Sequence, residues 1–227
     1  MADESSVLHG ITVAVLGGTG PQGRGLGRRW AMAGIQVVIG SRDAGRAAEA
    51  AAELAAATGG DVRGMANADA ARAGDVVLVA VPYAGHADLL RSLAEPLAGK
   101  TVVDCVNPLG FDKQGAHALD VADGSAAQEA AAILPDSIVV AAFHHVSAEL
   151  LNDPETEAVD TDVLVLGEGE HREATDLVRA LADAIPGMRG VYAGRLRNAH
   201  QVEALTANLI AVNRRYKANA GLRVTGL

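Results

Sequence analysis

Short apolar runs recur along the chain and most strongly limit the folds that it can adopt. Six of them are predicted strands: ITVAVLG from Ile11, QVVIG from Gln36, DVVLVAV from Asp75, TVVDCV from Thr101, SIVVAAF from Ser137 and DVLVLG from Asp162. They lack polar alternation, which indicates strands covered on both faces. The segments between them, such as DAGRAAEAAAELAAAT from Asp43, are amphipathic and helix-prone. This alternation predicts an α/β fold of the Rossmann type, with a doubly wound, mostly parallel sheet.

The length of the chain sets the expected domain organisation. With 227 residues, of which 49% are hydrophobic, it is long enough for one domain and a small additional lobe. We expect a Rossmann domain over residues 1–145. A smaller C-terminal lobe, which ends in a helix, is expected over residues 146–227 and would close a cleft.

Charge and composition exclude several classes of protein. The formal net charge of -9 argues against a nucleic-acid-binding protein, which would present a broad basic face. The lone Cys105 cannot form an intrachain disulfide, and no cysteine and histidine cluster has zinc-ligand spacing, so no metal is expected. No signal peptide and no long apolar window are evident, so we expect no membrane insertion and a cytoplasmic location.

A glycine-rich loop follows the first apolar run. Gly18, Gly20 and Gly23 form G-x-G-x-x-G at the start of a segment that is expected to be helical to about Gly34. In this setting the glycines allow a tight turn, a close approach to a pyrophosphate and tight packing of helix on strand. The helix N-terminus adds free N–H groups and the positive end of its dipole. The loop therefore predicts a dinucleotide site, with a simple turn as the alternative.

The end of the second apolar run indicates which dinucleotide is bound. An NAD site places an acidic residue there to bind the ribose 2'-hydroxyl, but this chain has Ser41 and Arg42, with Arg46 one helical turn later. A hydroxyl and two guanidiniums can hold a 2'-phosphate, so NADP(H) is predicted. Alternatively, the arginines form a solvated face with Asp43 and Glu49. Asp43 is also a predicted helix N-cap.

Several further segments carry a family resemblance. Together with the glycine-rich loop and SRDAGRA, they are VAVPYAGH, VVDCVNPLG, VVAAFHHVSAELLND and the terminal AGRLRNAHQVEALTANLIAVNRRYKANAGLRVTGL. From Ile11 to Leu227 the chain resembles the NADPH:F420 oxidoreductases, which pass a hydride between NADP and the 5-deazaflavin coenzyme F420. The resemblance implies the same reversible oxidoreductase reaction here, with NADP(H) and coenzyme F420 as the cofactors.

The resemblance also implies roles for individual residues. The NADP contacts of the family match Thr19, Gly20, Pro21 and Gln22 at the pyrophosphate, Ser41, Arg42 and Arg46 at the 2'-phosphate, and Val81, Gly110 and Ala148 around the nicotinamide. The strip from His144 to Val146 would border the deazaflavin.

Hydride transfer needs little chemistry from the protein itself. The two coenzymes carry the reaction, and the protein supplies proximity, a dry slot and electrostatics. Negative charge grows near the deazaflavin pyrimidine edge, where His144, or its rival His145, could stabilise it. His144 is therefore the candidate catalytic residue. The alternative is a polar cap on the core at the end of a strand.

The terminal helix has two predicted roles. His200 and Thr206 could face the deazaflavin from its first turns. Coenzyme F420 is strongly anionic, so an acidic protein must concentrate positive charge near the site, and the basic residues that flank this helix are Arg195, Arg197, Arg214, Arg215 and Lys217. The apolar stripe Val202, Leu205, Leu209 and Val212 would pack into the core or against a twin subunit, which predicts a homodimer through this helix.

Two other functions remain compatible with the sequence. One is another NADP-dependent reductase, of the imine, keto-acid or metal-flavin type. The other is a non-catalytic NADP sensor, which would keep the loop but need no open slot beside the nicotinamide.

Overall fold

Residues 7–227 are described by a computed structural model of the chain. Ten strands lie in this range. They are β1 (Thr12–Leu16), β2 (Gln36–Ser41), β3 (Val62–Ala66), β4 (Val76–Val79), β5 (Thr101–Asp104), β6 (Leu109–Asp112), β7 (Gly115–Ala118), β8 (Ile138–Ala141), β9 (Thr161–Leu166) and β10 (Met188–Gly194). All six predicted strands are confirmed to within a few residues.

Helices follow most of the strands. They are α1 (Pro21–Met32), α2 (Ala44–Thr58), α3 (Asn67–Ala73), α4 (His86–Ser92), α5 (Ala94–Leu97), α6 (Ala126–Ile133), α7 (Ala148–Asn152), α8 (Arg172–Asp183) and α9 (Ala199–Tyr216). The predicted end of α1 near Gly34 is confirmed, since the helix ends at Met32 and Gly34 has a left-handed φ of 80°. Within the part of the chain that the structure covers, no helix is long and apolar enough to cross a membrane.

Eight strands form one sheet in the order β10-β9-β8-β5-β4-β1-β2-β3, and β6 and β7 form a separate hairpin. Every neighbouring pair in the sheet is parallel except β8 and β9. The α/β, doubly wound, mostly parallel fold is thus confirmed. Strands β9 and β10 extend the same sheet past residue 145. The sheet grows in opposite directions from β1 and β4, and such a switch point is where α/β proteins bind ligands.

Burial on both faces explains why these strands were visible in the sequence. All five residues of β1 and all four of β4 are buried, between one apolar layer that contains Trp30 and another that contains Leu90. Strands β3, β6, β7 and β10 were missed because each contains glycine and has partly exposed or exposed residues. They therefore carry no continuous apolar run.

Two buried charged side chains, Arg29 and Asp162, hold two segments of the C-terminal half of the chain in place. The Arg29 guanidinium, 2% exposed, donates to the carbonyls of Leu150, Leu151, Asp153 and Thr156, which holds α7 and the loop after it against α1. The chain after α9 is held on β9, where the Asp162 carboxylate accepts from Arg223 of this segment and from Arg189 of β10, each at 2.6 Å. Arg189 also donates to the Val224 carbonyl at 2.8 Å. The hydrogen bonds to Asp162, that of Arg189 above all, hold the pKa of this carboxyl well below its usual range.

Candidate functional site

The glycine-rich loop connects β1 to α1 at the carboxyl edge of the sheet. Its left-handed turn lies at Gly17, with φ 72°, one residue before the first glycine of the motif. A Cβ on Gly23 would approach Val15 Cγ1 to 2.9 Å, so this glycine does allow the predicted close packing. Gly20 is the N-cap of α1 and Pro21 opens its first turn, with no side-chain cap. The amides of that turn therefore remain available to an anionic ligand.

A cleft of about 320 Å³ lies beside this loop. Its walls come from segments that follow β1, β4, β5 and β8, in keeping with the rule that ligands bind at the carboxyl ends of parallel strands. The lining residues are Gly20, Pro21, Gln22, Ala80, Val81, Pro82, Cys105, Val106, Asn107 and His144. Five predicted site residues thus meet in one cavity. They are Gly20, Pro21 and Gln22 of the loop, Val81 after β4 and His144 after β8.

Thr19 and Ala148 line a neighbouring depression on the other side of Pro21. It measures about 500 Å³ and also contains Asn152. The Asn152 amide donates to the Pro21 carbonyl at 2.9 Å and to the Ala148 carbonyl at 2.7 Å. This amide therefore ties the start of α7 to the glycine-rich loop.

The end of β2 presents the predicted 2'-phosphate group of residues. Ser41 ends the strand, and its Oγ accepts from the Asp43 amide at 3.3 Å. Asp43 is the N-cap of α2 as predicted, because its carboxylate accepts from the Arg46 amide at 3.1 Å. Arg42 and Arg46 are exposed, and neither makes an ion pair with any residue from 7 to 227. The geometry gives no support to their pairing with Asp43 or Glu49.

His144 enters the cleft from a strained turn after β8. The preceding Phe143 has a left-handed φ of 64°, and its ring packs edge-on against Trp30 at 5.6 Å. The His144 carbonyl accepts from Asn107 Nδ2 at 2.7 Å and from Thr206 Oγ1 at 3.1 Å. Side chains from two different segments therefore hold the turn at one carbonyl, as expected where strain is retained at a site.

The His144 ring itself is buried without a partner. It is 3% exposed, and neither ring nitrogen has a hydrogen-bond partner among residues 7–227. Burial lowers the pKa of His144 to about 4, although the charge of Asp104 acts in the opposite direction. At neutral pH the imidazole is thus uncharged and offers one N–H donor and one acceptor to a ligand.

Besides Ala148, five residues predicted at the nicotinamide or the deazaflavin do not line the 320 Å³ cleft, and one of them is Thr206, which contacts the His144 carbonyl. The His145 ring is turned toward β9, where Nε2 lies 3.2 Å from the Asp162 carbonyl. Val146 is buried, and Gly110 lies in the β6–β7 hairpin. His200 is exposed in the first turn of α9.

Behind the cleft lies a buried charged network that sequence reasoning missed. His86 is fully buried, with Nε2 2.6 Å from Asp104 and Nδ1 3.0 Å from Glu129. Burial alone would lower the pKa of His86, but the hydrogen bonds and charges of Asp104 and Glu129 raise it to about 9. Asp104 also accepts from the Val106 amide at 3.0 Å. The network therefore shapes the loop that forms one wall of the cleft.

Two more residues were also overlooked. Asn107 lines the cleft and holds the His144 carbonyl, and a polar residue just after a buried strand, as in CVNP, was a usable signal for it. Glu203 of α9 accepts from the Ala126 and Ala127 amides at the start of α6. Burial raises the pKa of Glu203 to about 7. Its sequence context, within an ordinary amphipathic helix, gave no such signal.

Comparison with known proteins identifies the family. The profile for the coenzyme F420-dependent NADP oxidoreductases matches residues 12–108. F420-dependent NADP reductases from Methanothermobacter marburgensis and Methanocaldococcus jannaschii are 41% and 39% identical to the chain, each over 96% of it and 99% of the relative.

A solved structure supports the same relationship. The crystal structure assigned to an F420-dependent NADP reductase from Arthrobacter sp. FB24 has a TM-score of 0.79 and 27% identity, over 95% of this chain and 100% of that one. With the dinucleotide loop, the arginines at the end of β2 and the cleft at the switch point, these similarities lead to one conclusion. This chain belongs to the F420-dependent NADP reductase family of oxidoreductases.

Proposed function

We propose that the chain transfers a hydride reversibly between NADPH/NADP+ and coenzyme F420. The observation that carries the proposal is the 320 Å³ cleft in which the glycine-rich loop, the end of β4 and His144 meet. When both coenzymes are bound, the dihydronicotinamide supplies the hydride and the deazaflavin accepts it. The protein contributes close approach and exclusion of water.

The residues present fit NADP(H). Thr19 and Gln22, at the uncapped start of α1, would hold the pyrophosphate through backbone amides. Gly18 and Gly20 would allow its close approach, because their own amides already donate to the Gly40 and Gly17 carbonyls at 3.1 and 2.9 Å. Ser41, Arg42 and Arg46 would bind the 2'-phosphate, because both guanidiniums lack ion-pair partners in the part of the chain described. Val81 would contact the nicotinamide from the cleft wall, and Gly110 and Ala148 are proposed to contact it from their own segments.

On the deazaflavin side, His144 is the proposed catalytic residue. Its neutral, unpartnered ring can donate a hydrogen bond to the pyrimidine edge, where negative charge develops. Thr206 supports the same turn through the His144 carbonyl. His145, Val146 and His200 complete the proposed deazaflavin surface, although their side chains lie outside the cleft lining. The segment 146–227 would close the cleft as a lobe.

We further propose that two copies of the chain associate through α9. Val212 and Tyr216 are 37% and 73% exposed, while Val202 at the other end of the helix is buried. The apolar face of α9 is thus buried at its N-terminal end and exposed at its C-terminal end, which favours an isologous interface there. Sedimentation equilibrium of the wild type and of Val212→Asp/Tyr216→Asp tests this, with a dimer expected only for the former.

The activity is tested by mixing the protein with NADPH and oxidised coenzyme F420. We expect the visible absorbance of the oxidised deazaflavin to disappear as NADPH is consumed, and to return when reduced deazaflavin is mixed with NADP+. Turnover of an imine or keto acid without change in the deazaflavin would contradict the proposal. Binding of NADPH without any turnover would instead favour a sensor.

The double variant Arg42→Ala/Arg46→Ala tests the 2'-phosphate contacts. We expect its KM for NADPH to rise about tenfold or more, because charge-assisted hydrogen bonds are lost, with little change in the KM for NADH. The control is Arg63→Ala, which removes a guanidinium from the neighbouring β3. Equal effects on both dinucleotides would exclude this role for the arginines.

A further inference from the structure

A second groove lies between the β6–β7 hairpin and the C-terminal half of α9. Its volume is about 520 Å³. Phe111 and Gln114 come from the hairpin, and Ile210, Arg214 and Arg215 come from the helix. The groove therefore combines apolar side chains, among them Phe111, which is 71% exposed, with two guanidiniums at its rim. None of its residues takes part in the pyrophosphate or 2'-phosphate contacts proposed above.

The two guanidiniums at the rim are free to bind an anion. Arg214 and Arg215 are exposed, and within residues 7–227 neither forms an ion pair. The acidic residue in the groove, Asp112, has its Oδ1 engaged by the Gln114 and Gly115 amides at 2.7 and 3.1 Å. In a chain of net charge -9, two adjacent unpaired arginines form a local positive site.

Two elements lead from the cleft to this groove. Asn107 lines the cleft, and the chain continues from it through β6 to Phe111. On the helix, Thr206 contacts the His144 carbonyl, and Ile210 and Arg214 follow at intervals of four residues on the same side. At about 1.5 Å per residue, Arg214 lies roughly 12 Å along the helix axis from Thr206. The groove therefore lies farther along the same two elements, on the outward side of the place proposed for the deazaflavin.

We propose that this groove binds the anionic tail of the deazaflavin substrate, with Arg214 and Arg215 contacting its phosphodiester and carboxylates. The inference rests on the proposed function. Phe111 and Ile210 would cover the uncharged part of the tail, and the guanidiniums would meet its charges where they emerge toward solvent. Basic residues in the last turn also favour a helix C-terminus, but that role requires neither a cavity nor an opposing aromatic wall.

The test compares two acceptors that share the same ring: coenzyme F420 and the corresponding deazariboflavin without phosphate or glutamate. For the wild type, we expect a lower KM for the acceptor with the tail, and this advantage should shrink as salt screens the exposed charges. In Arg214→Gln/Arg215→Gln, the KM for coenzyme F420 should rise about tenfold, the effect of losing one strong charge-assisted contact. The KM for the tail-less acceptor, the KM for NADPH and both kcat values should stay unchanged.

The matched control is Arg195→Gln/Arg197→Gln, which removes the same charge from the other end of α9. Arg195 lies 3.7 Å from Glu168, and neither arginine lines the groove. An equal rise in the KM for coenzyme F420 in this control would assign the effect to the overall electrostatic field of the protein and overturn the proposal. So would a rise for both acceptors, or for neither, in the groove variant. Failure of the proposed function is distinguishable, because the wild type would then reduce neither acceptor.

Discussion

Two buried histidines close to the cleft have opposite surroundings. His86 and His144 are 0% and 3% exposed, yet the pKa of His86 is raised to about 9 and that of His144 is lowered to about 4. Both are penalised by burial, but only His86 has carboxylate partners. Burial therefore does not decide the charge of a histidine. The partners do.

The difference separates a structural group from a candidate catalytic one. His86 satisfies both of its nitrogens and holds Asp104, which in turn holds the Val106 amide. His144 is held only through its backbone carbonyl, and its ring is unpartnered within residues 7–227. A buried polar group without a partner is costly. It is retained most readily where a ligand supplies the missing bond.

The largest expected effect comes from removing the paired histidine. His86→Leu would leave the Asp104 and Glu129 carboxylates without their cation, and breaking a buried pair in this way costs about 3–5 kcal/mol. His144→Leu removes a group with no partner, so the free energy of unfolding should change by less than about 1 kcal/mol. Urea unfolding at pH 7 measures both. Similar losses of stability in the two variants would contradict the distinction.

The pH dependence of stability should differ in direction between the two histidines. Because the folded pKa of His86 lies above its unfolded value, the stabilisation is full below about pH 6.5 and is lost as the pH rises through about 9. The folded pKa of His144 lies below its unfolded value, so stability falls as the pH drops from about 6.5 to about 4. Each shift corresponds to about 3 kcal/mol.

Urea unfolding between pH 4 and pH 10, in the wild type and in His86→Gln and His144→Gln, measures these two slopes. Glu203, whose pKa is raised to about 7, also loses stabilisation as the pH rises, but this contribution cancels when His144→Gln is subtracted from the wild type. In His86→Gln the pKa of Glu203 should rise further, because the charge of His86 lowers it, so the slope of His86 is measured at alkaline pH, toward about pH 9. An alkaline slope that survives in His86→Gln would show that another group produces it.

Local sequence could not have separated the two histidines. VAVPYAGH and VVAAFHHV both place a histidine shortly after a buried strand, and the partners of His86 are 18 and 43 residues away. The sheet, the glycine-rich loop and the Asp43 cap were predictable because periodicity and capping act over a few residues. The His86 network and the groove beside α9 depend on contacts between distant segments. No pattern within one segment carries that information.

Replacing His144 should affect turnover more than stability. If its neutral N–H stabilises charge on the deazaflavin, His144→Leu should lower kcat about a hundredfold or more, the range seen when one preorganised donor is lost. His144→Gln keeps a neutral donor and should retain most of the activity. Because the pKa of His144 is about 4, kcat of the wild type should show no transition from this residue between pH 6 and pH 8. Full kcat in His144→Leu would show that His144 has only a structural role, as His86 does.

The smallest effect should come from the hydroxyl that holds the His144 carbonyl. Thr206→Val removes one of its two donors, at 3.1 Å, and leaves Asn107 Nδ2 at 2.7 Å. One neutral hydrogen bond contributes about 1 kcal/mol, so kcat for coenzyme F420 should fall only a few-fold, and Thr206→Ser should restore it. Because both donors hold one carbonyl, Asn107→Ala/Thr206→Val should lose more activity than the two single variants predict together. Strict additivity would mean that the two donors act independently. Full activity in all three variants would mean that the packing of Phe143 on Trp30 keeps the turn in place without them.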